Sequence, residues 1–186
     1  MENYDVKFDI VAHSMGGLVA RYYLRYGTAP LPQAPTKSSV TWAGTRHVDQ
    51  AVLVGTPNAG SALALDRLVH GRDFGRFAPE YAPALLGTMP SLYQLLPRTR
   101  HGALRDAADT TVVVDSLYAP SFWERMGWGL AAPDQDEMLR ALLPNVEDPA
   151  ARRRIAHDHL RKSLRRARRF HAALDVPSAP PKRLPF

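Results

Sequence analysis

Ser14 lies between residues with small side chains, in the segment Ala12-His13-Ser14-Met15-Gly16. A serine hydroxyl cleaves an ester only when it is exposed next to a base and an oxyanion hole. A sharp turn from a strand into a helix exposes the hydroxyl and points the helix N-terminus at the developing negative charge. Because this turn brings strand and helix close together, it requires small residues two positions before and after the serine. The spacing therefore predicts a strained turn at Ser14, with Ala12 and Gly16 facing each other across it.

The common form of this motif is G-x-S-x-G, from which Ala12 departs by one methyl group. Alanine is the smallest side chain after glycine, so we expect the turn to survive. A small-residue turn without any chemistry would show the same five residues. The flanking elements therefore decide between the two interpretations.

A buried strand before Ser14 and an amphipathic helix after it are both predicted. Residues 7–12 form a short apolar run that is typical of a buried strand. Residues 15–26 carry apolar side chains at helical spacing, and Gly27 can end that helix because glycine tolerates a positive φ. Residues 51–55 predict a second buried strand. Strand, helix and strand at this spacing form one right-handed crossover of a parallel sheet, which favours a nucleophilic role for Ser14.

The stretch from residue 57 to residue 108 has a different, irregular composition. Its apolar residues, scattered among prolines and glycines, include Phe74, Phe77, Tyr81, Leu85, Leu86, Met89, Leu92, Tyr93, Leu95 and Leu96. We expect short helical pieces here that form a cap over the carboxyl edge of the sheet, near Ser14. Residues 110–114 are all β-branched and predict a further strand.

The last predicted helix is long and basic. Asp148 and Pro149 suit its N-cap and first helical positions, and it runs to about residue 174. Its buried stripe is predicted from the spacing of Leu160, Leu164, Ala167, His171 and Leu174. Residues 177–181 end the helix, and residues 183–186 have the composition of the start of another core strand.

Composition excludes several classes of site. The 186 residues contain no cysteine, which excludes disulfides, thiolate metal sites and a cysteine nucleophile. The net charge of +6 is concentrated between residues 152 and 169. That basic face favours peripheral contact with anionic lipid headgroups over nucleic-acid binding, since an apolar stripe already explains the helix. The sequence shows neither a signal peptide nor a membrane-spanning run, so we expect a cytoplasmic location.

Three segments resemble the lipase and lecithin:cholesterol acyltransferase-like branch of the α/β-hydrolases. They are residues 8–26 (FDIVAHSMGGLVARYYLRY), 54–61 (VGTPNAGS) and 90–97 (PSLYQLLP). The resemblance implies a serine esterase, lipase or acyltransferase that acts on a lipid-like ester and needs neither a metal nor an organic cofactor. It implies Ser14 as the nucleophile and the backbone N–H of Met15 as one oxyanion donor. The fold expected is α/β, a partial α/β-hydrolase fold with a short parallel sheet, flanking helices and a helical cap insertion.

The resemblance assigns neither the acid, the base nor the second oxyanion donor to a residue. In this fold the acid and the histidine follow the serine on loops after later strands, and a second oxyanion donor precedes it. We therefore expect an internal fragment of a larger hydrolase, with residues 1–56 as the nucleophile-bearing core, 57–147 as the cap and 148–186 as the basic helix and the next strand. Asp115 is the best internal acid.

His157, His159 or His171 would supply the base in the right order, although each lies in a predicted helix where the fold uses a loop. His13 adjoins Ser14, but neighbours across a sharp turn point in different directions. Asn58 and Ser61 are expected to shape the turn after the second strand. The alternative to an enzyme is an inactive fragment or a binding module that retained the turn without the triad. The oligomeric state is not predicted.

Overall fold

The computed structural model describes residues 6–73, residue 75 and residues 81–181. Phe74, Phe77 and the strand start expected at residues 183–186 lie outside the described residues. The fold is mixed α/β, with a short parallel sheet of two strands among the described residues and several helices. This confirms the predicted fold class.

The chain divides into two compact units. Unit 1 comprises the described parts of residues 1–58 and 169–186, and unit 2 comprises those of residues 59–168. Unit 1 therefore contains Ser14 and the paired strands, whereas unit 2 is built mainly from helices.

Unit 1 contains the predicted strand–helix–strand crossover. The predicted burial of its strands is wrong, because most of their residues are exposed. Strand β1 (Phe8–His13) pairs in parallel with strand β2 (Val48–Val54), and helix α1 (Met15–Tyr26) follows β1 directly. The register places His13 opposite Val54. Both strands therefore end at the same edge of the sheet, which is where the chain turns into α1.

Helix α1 ends at the predicted glycine. Gly27 has a φ of 61°, a conformation that strains other residues, and its N–H donates to the carbonyl of Tyr23 (2.7 Å). The connection to β2 contains 3-10 helices at Lys37–Ser39 and Ala43–His47. Gly44 passes so close to α1 that a Cβ there would lie 2.1 Å from the Tyr23 carbonyl oxygen. This close approach fixes the second 3-10 helix against α1.

Helix α7 (Pro149–Asp175) is the long basic helix predicted from the sequence. The carboxylate of Asp148 caps it by accepting the N–H groups of Ala150 (2.9 Å) and Ala151 (3.0 Å). Its predicted stripe is buried at every position, namely Leu160, Leu164, Ala167, His171 and Leu174. Within the described ranges, no helix combines the length and the apolar character needed to cross a membrane.

Side chains of α1 satisfy carbonyl groups at the C-terminal end of α7. The hydroxyl of Tyr26 donates to the carbonyl of Ala173 (2.8 Å), and the guanidinium of Arg25 donates to that of Val176. The last carbonyls of a helix have no intrahelical partner, and positive charge there is stabilising. These contacts explain why unit 1 accommodates a buried arginine.

Unit 2 packs residues 149–168 of α7 around one hydrophobic core together with helices that are all short. They are α2 (Ala62–His70), α3 (Pro83–Gly87), α4 (Pro90–Tyr93), α5 (Pro120–Met126) and α6 (Asp136–Leu142), with 3-10 helices at Thr99–His101, Ser116–Tyr118, Gly129–Ala131 and Pro133–Gln135. Tyr93 and Trp123 are completely buried in this core. The Trp123 Nε1 donates to the carbonyl of Leu117 (2.7 Å), so its burial leaves no unpaired donor.

The strand predicted for residues 110–114 is wrong. The chain forms only an isolated antiparallel bridge between Arg105 and Val113. The carboxylate of Asp109 accepts the N–H of Thr111 (2.9 Å), and such local hydrogen bonds compete with a strand ladder. β-Branched composition therefore does not produce a strand here, because no strand among the described residues pairs along this segment.

Candidate active site

Ser14 occupies the turn between β1 and α1. Its backbone angles are φ 53° and ψ −128°, and its side chain is exposed. A positive φ is uncommon for a residue with a side chain and costs conformational energy, so it persists only where the surrounding structure enforces it. The strained turn predicted from the sequence is present in the structure.

Backbone contacts hold this turn in place. The N–H of Ser14 donates to the carbonyl of Val54 (2.9 Å), and the N–H of Gly17 donates to the carbonyl of Ser14 (3.0 Å). A Cβ at Gly16 would lie 3.9 Å from the Cβ of Ala12. The two small residues thus face each other across the turn, and the extra methyl group of Ala12 is accommodated.

Gly17 lies in a tighter contact than Ala12 and Gly16, the two small residues of the motif. A Cβ at this position would lie 1.8 Å from the Oγ1 of Thr56, so no larger residue fits without movement. The Thr56 Oγ1 is itself buried and has no hydrogen-bond partner among the described residues. The loop after β2 is therefore packed directly against the first turn of α1.

A charged hydrogen bond ties the same loop to α1. The Nη1 of Arg21 donates to the Oδ1 of Asn58 (2.5 Å), and the N–H of Asn58 donates to the carbonyl of Thr56 (2.8 Å). Asn58 thus shapes the turn as the sequence predicted, but sequence reasoning missed Arg21. The available signal was a charged residue between the apolar positions of α1, combined with an amide after the next strand.

The backbone N–H of Met15 is the predicted oxyanion donor. Met15 is the first residue of α1, and the N–H groups of the first helical turn have no intrahelical acceptor. The helix dipole adds partial positive charge at this end. The Ser14 side chain makes no capping hydrogen bond to the helix. This end of α1 is therefore suited to stabilising a negative charge next to Ser14.

Asp115 and His157, a predicted acid and a predicted base, both belong to unit 2. Asp115 is exposed and precedes the 3-10 helix Ser116–Tyr118 without capping it. The Nδ1 of His157 lies 3.4 Å from the Oε1 of Glu124. The partner of His157 is therefore a glutamate that the sequence analysis did not single out.

Of the other histidines considered as bases, His159 and His171 lie in α7, and His13 lies in β1. The Nε2 of His159 is buried and has no hydrogen-bond partner among the described residues. His171 is buried in unit 1, with its ring centroid 6.1 Å from that of Phe170. His13 is the last residue of β1 and is exposed.

Shifted pKa values occur in unit 2 and arise from structural contacts. Hydrogen bonds from Lys162 and then Arg161 hold the pKa of the exposed Asp158 below its usual value. Burial raises the pKa of Tyr93. These shifts report an ion-pair network on α7 and a buried core hydroxyl.

Comparison with known proteins identifies the family. A family model described as lecithin:cholesterol acyltransferase matches residues 1–129, well over half of the 186 residues, and the match includes Ser14. No match was found among curated proteins or among solved structures. The matched family supports acyltransferase- or lipase-like action on lipid-like substrates. The resemblance inferred from the three sequence segments is confirmed, and the chain belongs to the lecithin:cholesterol acyltransferase family.

Proposed function

We propose that the protein transfers or hydrolyses the acyl group of a lipid ester through a covalent intermediate on Ser14. The Ser14 Oγ attacks the carbonyl carbon while its proton passes to a base, and the N–H of Met15 donates to the oxyanion. The bond to the substrate alcohol then breaks, and that alcohol leaves with a proton. Water or a second alcohol attacks the acyl-serine, which releases the acyl product and restores the serine hydroxyl.

A comparison of two serines carries this proposal. Ser61 precedes α2 with an extended backbone (φ −137°), and its Oγ accepts the N–H of Ala64 (3.2 Å) as an ordinary helix cap. Ser14 also precedes a helix, but its φ is 53° and its hydroxyl makes no capping hydrogen bond. A strained, exposed serine that does not cap its helix has a hydroxyl available for chemistry.

A non-catalytic binding role is the second candidate. The Ser14 hydroxyl has no hydrogen-bond partner among the described residues, and a serine without a base is a weak nucleophile. Asp115 with His157, His159 or His171 remains the internal pair to test. Because of this missing contact, we expect residues 1–186 to show little or no turnover of short-chain or long-chain nitrophenyl esters.

Labelling with a fluorophosphonate probe, mapped by mass spectrometry, tests the nucleophile directly. Oxyanion donors alone retain a substantial part of the rate enhancement of serine hydrolases, so we expect slow labelling at Ser14. Ser14→Ala should abolish the labelling, and Ser61→Ala is the matched control that should retain it. Equal labelling of both serines, or none, would favour the binding role.

An ester assay tests whether the triad is complete. Turnover well above background that disappears in Ser14→Ala would contradict our expectation of an inactive chain and would place the base within these residues. Asp115→Asn and single substitutions of His157, His159 and His171 by glutamine would then identify the pair.

A further inference from the structure

Unit 2 contains an apolar pocket against helix α7. Its volume is about 250 Å³, and its lining side chains include Leu130, Leu139, Leu142, Leu143, Ile155 and His159. An apolar cavity of about 150 Å³ is already large enough to bind benzene. Ile155 is 44% exposed, so the pocket reaches the surface. It can therefore accept several methylene groups from solvent.

Helix α7, which lines this pocket, also carries positively charged side chains. They continue one strip along the helix, which runs from Ile155 and His159 to Lys162 and Arg166. Lys162 follows Ile155 by seven residues, and Arg166 follows His159 by seven. Seven residues are nearly two helical turns, so each pair projects within about 20° of one direction. Along the axis, Lys162 lies about 5 Å and Arg166 about 10 Å beyond His159. Both are exposed, and helical side chains lean toward the N-terminus, which here is the direction of the pocket.

Asp158 neutralises only part of the positive charge on this surface of α7. Asp158 forms ion pairs with both Arg161 and Lys162. Arg165 and Arg166 have no ionic partner within the part of the chain that the structure describes. An apolar pocket is thus followed along one helix strip by a region of net positive charge.

We infer that this pocket and the adjoining Lys162 and Arg166 bind a single-chain anionic amphiphile with the chemistry of a fatty acid. The alkyl chain lies against the leucines and Ile155, where its burial is favourable. The carboxylate lies at Lys162 and Arg166, and the guanidinium fork matches the two carboxylate oxygens. The inference uses residues of unit 2 alone and does not rest on the proposed role of Ser14.

Isothermal titration calorimetry of the chain with sodium decanoate tests the site. We expect saturable binding of one molecule, weakened about two- to fourfold for each methylene removed in octanoate and hexanoate. Decyltrimethylammonium has the same chain but a cationic head, and it should not displace decanoate. Absence of saturable decanoate binding, or equal binding of the two head groups, would overturn the inference.

Two double variants provide a matched comparison. Lys162→Gln/Arg166→Gln removes the two positive charges that lie in line with the pocket. Arg161→Gln/Arg165→Gln removes two positive charges that project about 80–120° away from Ile155. Each removes one partner of Asp158 and one arginine without an ionic partner, so their net charges are equal. We expect about tenfold weaker decanoate binding for the first and less than twofold for the second. Equal losses would show diffuse charge attraction and would contradict a defined site.

Ile155→Gln tests the part of the site that binds the alkyl chain of the ligand, at a residue that is already partly exposed. We expect about fivefold weaker decanoate binding with unchanged thermal stability, and unchanged binding would contradict the pocket assignment. Ser14→Ala should bind decanoate like the unsubstituted chain. Loss of serine labelling in that variant without loss of binding would separate this inference from the proposed function.

Discussion

The two strands of unit 1 and the helical core of unit 2 bury their apolar residues to very different extents. In unit 2, side chains as large as Trp123 and Tyr93 have no exposed surface. In unit 1, Phe8 and Val11 of β1 are 61% and 75% exposed, and Val52 of β2 is 50% exposed. Parallel sheets are normally covered on both faces, whereas these three side chains are exposed. The hydrophobic effect therefore stabilises the core of unit 2 more than the sheet that supports Ser14.

The turn at Ser14 and the core of unit 2 are stabilised by different kinds of contact. The turn at Ser14 depends on backbone contacts and close approaches, such as the hydrogen bond to Val54 and the packing of Gly17 on Thr56. The core of unit 2 depends on buried side chains instead. Substitutions that remove side-chain volume should thus be most harmful in unit 2, whereas the turn should be sensitive to a methyl group added at Gly17.

The largest effect is expected for Trp123→Ala. Removing a completely buried tryptophan should lower the free energy of unfolding by about 3–5 kcal/mol. Urea unfolding followed by circular dichroism measures this change. Val11→Ala in β1 is the control and should change the value by less than about 0.5 kcal/mol. A comparable loss in Val11→Ala would mean that the exposed face of the sheet is covered in solution.

Gly17→Ala tests the close approach at the turn. The new Cβ would lie 1.8 Å from the Thr56 Oγ1, so we expect a loss of about 1–3 kcal/mol from overpacking. Gly16→Ala is the matched control, because its Cβ would make an ordinary 3.9 Å contact with Ala12. The two variants should differ clearly in urea midpoint. Equal midpoints would contradict the packing of Thr56 on α1.

Alkaline pH should destabilise the core of unit 2 through Tyr93. Burial raises the pKa of this hydroxyl, which donates to the carbonyl of Gly87 (3.0 Å). The unfolded chain loses the proton near pH 10 while the folded chain keeps it, so the stabilisation is intact below pH 10 and falls as the pH rises. Each pH unit above 10 should remove up to about 1.4 kcal/mol. Tyr93→Phe should lack this component when unfolding is compared at pH 9 and pH 11, and identical slopes would refute the raised pKa.

The smallest effect is expected for the contact between Arg21 and Asn58. A double-mutant cycle with Arg21→Ala and Asn58→Ala should give a coupling energy of about 0.5–1.5 kcal/mol, since the hydrogen bond is charged but exposed. Urea unfolding of the four proteins measures it. Additive single effects would show that the contact does not hold the loop to α1.

Local signals were sufficient to predict the elements that carry Ser14. The apolar runs of β1 and β2, the helical spacing of α1 and the small residues Ala12 and Gly16 were all readable from the sequence. The Asp148–Pro149 cap was also sufficient to predict the start of α7. Each of these features depends on residues within a few positions of one another, so neighbouring side chains and backbone preferences decide it.

Only the tertiary structure decided which distant residues meet. It placed Thr56 on Gly17 and Asn58 on Arg21, paired His157 with Glu124, and gave residues 110–114 an isolated bridge in place of a strand. These outcomes depend on contacts between residues that are far apart in the chain, and no local pattern encodes them. The sequence by itself determined that Ser14 lies in a strand-to-helix turn, because that turn is local. The tertiary structure determined what surrounds the turn, because packing and pairing partners are not local.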